Sequence, residues 1–239
     1  MKMVRWAWQN AYISLIVYFA IMTGLYLLFT AADRLFHTQG EVNGISVSSF
    51  VMLFVVSLVL FAQSVRFGLG NGVSRRSIFF GLCVHALGVS ALLTLADSLF
   101  LAVFGLFTDT SGELLNLIYG MRATGQGASA VSLMVGAFAC NLFASILGFF
   151  IAGAYYRMNR VVKLIVSIGV PGPLLIGTPL VLAALPAPVV RSLGQAVGSF
   201  FSFMGRSPYH LALPLTGTVV VLGFFCWLLI RRAPLKVPA

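Results

Sequence analysis

Residues 66–77 read R-F-G-L-G-N-G-V-S-R-R-S, a stretch with three arginines, three glycines and no acid. One apolar segment ends at its first residue and another begins at its last, so it reads as a short loop between two membrane spans. Its positive charge places it on the cytoplasmic side, because cytoplasmic loops keep an excess of Lys and Arg. Asn71-Gly72 is turn chemistry, and the Ser74 hydroxyl can cap a helix that begins at Arg75.

Working outward, the composition leaves one environment open. The 239 residues are 60% hydrophobic and 8% charged, with a mean hydropathy of +1.03. Soluble chains carry roughly 25% charged residues, and a chain this apolar has too little polar surface to meet water. The expectation is an all-α, polytopic membrane protein, a single transmembrane domain over 1–239 with six spans at about 11–30, 45–65, 78–107, 131–154, 161–185 and 213–230. The lead before the first span has two cations and too few apolar residues for a cleavable signal, so the first span is expected to be retained.

Charge sets the orientation. With both termini cytoplasmic, the inner segments hold eleven cations and no acid, whereas the outer ones hold four cations and four acids, Asp33, Glu41, Asp109 and Glu113. The net charge of +10 is thus a topology signal and no argument for nucleic acid. The lead itself, Lys2, Arg5, Trp6 and Trp8, suits the headgroup layer as an aromatic belt anchor.

Polar residues inside the spans are few. Ser90, Thr94, Asp97 and Ser98 share an arc of about 100° on the third helix, with His85 expected on the opposite side as a packing or interhelical hydrogen-bonding residue. Asp97 is the one acid outside the loops. An intramembrane carboxylate commonly faces a bundle interior or water; roughly 28 Å along its helix, at 1.5 Å per residue, it also approaches the outer boundary. A structural and a transport role both stay open. Asn141 at mid-depth of the fourth span is read as an interhelical hydrogen bonder or a path residue. Pro171, Pro173 and Pro179 should break the fifth span, for packing or for gating. Residues 114–119 are expected as a short interfacial helix, and 189–206, too short and interrupted to span, as an outer re-entrant or interfacial element. Cys83, Cys140 and Cys226 fall in apolar stretches and read as small packing residues.

The order Phe67-Gly68-Leu69-Gly70-Asn71-Gly72-Val73-Ser74-Arg75-Arg76, at the junction of the second and third of six spans, resembles the permease subunits of type-2 ABC transporters. The resemblance implies that this segment is a short cytoplasmic coupling helix, through which Arg66, Phe67, Leu69, Gly70, Asn71, Gly72, Val73, Ser74, Arg75 and Arg76 meet a nucleotide-binding ATPase subunit. It implies that the lead is an interfacial connecting helix and that an outer element separates the last two spans. It further implies a second permease copy or homologue in a plasma-membrane transporter, with a path formed largely by the second and fifth spans; the candidate path residues in this sequence are Asp97, Asn141, Pro171 and Pro173. ATP and Mg would sit on the partner, since this chain has no phosphate loop and no familiar hydrolase motif. The expected function is export of a hydrophobic or amphipathic substrate such as a peptide, lipid or drug. The alternative is a six-span substrate-binding subunit of a vitamin importer, with a compact polar pocket in its outer half. An intramembrane enzyme is the third class, for which Asp97 and Asn141 alone make no active site.

Overall fold

The computed structural model describes residues 2–36, 44–106, 113–119, 129–169 and 186–231. Among them the chain is helical throughout: α1 (Lys2–Phe36), α2 (Ile45–Gly70), α3 (Arg75–Phe104), α4 (Leu114–Tyr119), α5 (Ala130–Arg157), α6 (Arg160–Gly169), α7 (Ala187–Met204) and α8 (Pro208–Arg231). Five helices, α1, α2, α3, α5 and α8, are long and apolar enough to cross a membrane. The chain is therefore a multi-pass helical membrane protein. The expected fifth span begins in α6, and the rest of it, with Pro171, Pro173 and Pro179, lies outside the described residues.

Local signals explain most helix ends. The Ser74 hydroxyl accepts from the Ser77 amide at 3.3 Å and starts α3 at Arg75, and Ser129 does the same for Ser132 at the start of α5, also at 3.3 Å. Each satisfies an amide that the first helical turn leaves open. At the end of α2 the Asn71 amide group donates to the Phe67 carbonyl at 2.7 Å, and Gly72 turns the chain at φ 69°. Two boundaries differ from expectation. The basic aromatic lead is continuous with the first span in α1, a helix of 35 residues. α8 starts at Pro208, five residues before the expected 213, because proline is well accommodated in a first turn whose N–H groups have no intrahelical acceptor.

α5 is the central helix, packed against α2, α3 and α8. Small residues recur along it at Gly136, Cys140, Ala144, Gly148 and Ala152, the spacing that lets helices approach closely in a bilayer, where dispersion and hydrogen bonds drive association. At Gly148 the approach is closest: a methyl group there would stand 2.7 Å from the Phe54 carbonyl oxygen and 2.9 Å from Ser57 Cβ. The same crossing brings the Ser57 and Ser145 hydroxyls to 2.8 Å, a buried bond between α2 and α5. α1 seats on the bundle through Tyr26, whose ring meets Phe100 at 5.0 Å and Phe104 at 4.8 Å.

The two ends of the bundle are distinct. Val65 of α2, Ile78 of α3, Tyr156 of α5 and Ile230 of α8 belong to one buried cluster, so α2, α5 and α8 run parallel to one another and antiparallel to α3. Arg66, Arg75, Arg76, Arg157 and Arg231 lie at this end, all exposed. The opposite end carries the start of α2, α4 and the start of α8, where Gly136 abuts Pro208.

Candidate functional site

The arginine end is closed by the α2–α3 turn. Arg66 to Gly70 form the last turn of α2, followed by the Asn71–Gly72 turn and two residues leading into α3. No separate helix stands between the spans, which corrects the expected independent coupling helix: the apolar periodicity of α2 continues through Gly68 and Leu69, so the helix runs on to Gly70. Leu69 and Val73, expected as part of an outward contact surface, pack against the buried cluster, while Phe67 stands 40% exposed beside the exposed Arg66 and Arg76. Arg75 has an internal role, donating from Nη1 to the Arg231 carbonyl at 2.6 Å. It ties the turn to the last carbonyls of α8, where a cation is favoured by the helix dipole.

At the other end α2, α3, α4 and α5 enclose a cavity of about 870 Å³. The sequence-predicted residues Asp97 and Asn141 both line it, together with Ser46, Ser98 and Glu113; the rest of the wall is largely apolar. Asn141 donates from Nδ2 to Thr94 Oγ1 at 3.0 Å, joining α5 to α3, and Thr94 in turn donates to the Ser90 carbonyl. Asn141 is thus an interhelical hydrogen bonder, as its depth and type indicated. Asp97 is 6% exposed, and its Oδ1 has no hydrogen-bond partner. The Ser49 side chain lies beside this carboxyl and shares a 2.9 Å hydrogen bond with the Tyr18 hydroxyl, which links α1 to the polar face.

His85 lies on the side of α3 away from the polar stripe, where 3.6 residues per turn places it, and it is buried there with its ring 6.4 Å from that of Phe149. Both sides are buried because α3 is covered by α5, α1, α2 and α8. Its reading as a packing residue stands.

Glu113, read from the sequence as one of four acids in the outer segments, has a role that the sequence reading missed. It is 1% exposed, and its carboxylate accepts from the Ile45 amide at 2.7 Å, the Ser46 amide at 3.3 Å and the Ser46 hydroxyl at 2.9 Å. It caps α2 across 68 residues of chain. A signal for this was present. α2 begins behind Gly44, which has no side chain to cap with, so an acceptor from elsewhere had to meet the open amides and the positive end of the helix dipole. At the far end of α4 the Tyr119 hydroxyl donates to the Met204 carbonyl at 2.8 Å, so this one short helix ties α2 to the end of α7.

Among the described residues no cluster of His, Cys, Asp and Glu could hold a metal ion, and all three cysteines are free thiols. α6 and α7 lie at the periphery of the bundle, with Val161, Leu164 and Ile165 on α6 and Val197, Phe200 and Phe201 on α7 exposed. Comparison with protein families, with curated proteins and with solved structures gives no match for this chain, and what its own residues establish is a multi-pass helical membrane protein with an arginine-rich end and a cavity at the other.

Proposed function

We propose that this chain is the permease subunit of an ABC exporter, moving a hydrophobic or amphipathic substrate such as a peptide, lipid or drug with energy from a separate ATPase that binds ATP and Mg. The observation that carries the reading is the ordered, acid-free α2–α3 turn. It holds Phe67 exposed beside the exposed Arg66 and Arg76, at the end where α5 and α8 also finish in arginine. An aromatic flanked by guanidinium groups suits a partner groove rimmed with acids, since aromatic and arginine side chains dominate many interfaces. The arginine end is then cytoplasmic with both termini, residues 161–185 form the sixth crossing, and the turn takes the place of a coupling helix. The exposed apolar faces of α6 and α7 leave room for a second permease, alongside lipid.

The decisive experiment is isolation of the full chain from its native membranes with any stoichiometric partner that hydrolyses ATP. Arg66→Glu combined with Arg76→Glu should leave insertion intact and remove the ATPase activity that copurifies. An unaltered complex, or a wild-type preparation without ATPase activity, would reduce the turn to an ordinary positive-inside loop. Arg75 is left untouched because of its bond to Arg231.

A second reading, the substrate-binding subunit of a small-molecule importer, calls for a compact polar pocket in the outer half. The cavity's position and its polar members Asp97, Asn141 and Glu113 favour it, whereas the mostly apolar wall does not. Uptake assays separate the two: an importer raises, and an exporter lowers, the cellular content of the transported compound.

A further inference from the structure

We propose that the cavity between α2, α3, α4 and α5 binds an amphipathic monocation, a molecule with an apolar body and a single ammonium or guanidinium group that meets Asp97. The inference goes beyond the ABC reading and holds or fails without it. Three observations carry it. The space, about 870 Å³, falls within the range of roughly 300–1,000 Å³ typical of small-molecule sites. Its wall is mainly leucine, alanine, valine, methionine and phenylalanine, including Leu95, Leu99, Leu133 and Met134, which suits a hydrocarbon body. The third is charge. Among the described residues two carboxyl groups line the cavity and no Lys, Arg or His does.

The two carboxyls are not equivalent. Glu113 has its oxygens engaged by two backbone amides and a hydroxyl. Asp97, more than nine-tenths buried and lining the same space, keeps Oδ1 without a partner. A buried carboxylate without a counter-ion is costly, and the cost is relieved by a cation that brings its own hydrogen-bond donors. Ser98 and Asn141 offer polar surface nearby, and the rest of the wall is largely apolar. A neutral ligand of equal size would fill the space and leave the charge of Asp97 uncompensated, even where a hydroxyl reached Oδ1. An anion would face two acids.

The test is thermal unfolding of the full chain in phosphatidylcholine nanodiscs with dodecylamine, dodecanol or dodecanoate, since a ligand that binds the folded state raises the midpoint in proportion to its affinity. Dodecylamine should raise the midpoint, and the alcohol and the carboxylate should not. Asp97→Asn should weaken the amine by about thirtyfold or more, the effect of truncating one partner of a buried charge pair. Ala102→Phe, which keeps the carboxyl and fills the cavity, should abolish the response, and it decides alone if the Asp97 variant does not fold. Nanodiscs containing phosphatidylethanolamine separate the sources: a raised midpoint without added amine, lost in Ala102→Phe, supports the site and names a lipid headgroup as its occupant. Equal responses to the three probes, an amine response undiminished in either variant, or no response to amine or phosphatidylethanolamine would overturn the proposal.

Discussion

The arginine end and the cavity end of this bundle share α2, α3 and α5, completed by α8 at one end and α4 at the other, and solve opposite problems. At the arginine end Phe61, Val65, Ile78, Phe149 and Ile230 fill the interior, and the charged groups stand outside it, as a cation near a headgroup layer can on a long stem. At the cavity end the apolar surfaces part, a space opens, and the acids sit inside, Asp97 and Glu113 at 6% and 1% exposure. The arginine end is organised to be a rigid base. The cavity end exchanges packing for chemistry, since an enclosed polar group there is strengthened by the low dielectric and restricted to partners with good geometry.

The comparison is broken most severely where α2 and α5 touch. Gly148→Val should destabilise the bundle by about 3 kcal/mol, the upper range for overpacking a well-packed core, because the obstructing atom is the Phe54 backbone oxygen and cannot rotate away. Gly198→Val on α7, where nothing lies within 4 Å, should change little. Yield of monodisperse protein and the unfolding midpoint check both.

An intermediate effect is expected at the cavity end. Glu113→Ala leaves the Ile45 and Ser46 amides without their acceptor and should cost about 2 kcal/mol. Hydrogen exchange should report it as faster opening of the first turn of α2, with the Val65–Ile78 region unchanged. Uniform acceleration would mean that the two ends unfold as one unit.

The smallest effect should come from Asn141→Leu. It removes the bond to Thr94 and should cost about 0.6 to 1.7 kcal/mol, the range for interhelical hydrogen bonds in bilayers. Thr94→Val should cost no more, and the double variant should cost less than the sum if the two residues act as a pair.

Much of this molecule is legible without its structure. Five spans follow from runs of apolar residues, because in a bilayer the backbone must satisfy itself and a long apolar run has to be a helix. The start of α3 at Ser74–Arg75 and the turn at Asn71–Gly72 follow from residues within four positions of each other, and 114–119 is a helix as its composition indicates. The capping role of Glu113 was not legible for the converse reason. A loop acid and a cap for a helix 68 residues away look alike in one dimension. That the His85 side of α3 is buried as well as the polar stripe could not be read in advance, because the number of neighbours a helix has is no property of its own pattern.

The chain by itself thus determines which segments are apolar, which end of each carries arginine, and which small residues recur every fourth position along α5, since hydropathy, charge and periodicity are local quantities. Tertiary structure decides that Gly148 meets the Phe54 carbonyl, that Arg75 spends its guanidinium on α8, and that Asp97 and Glu113 enter one cavity with only Glu113 satisfied. Those outcomes depend on distances between residues far apart in sequence, which only the packing of helices against one another defines.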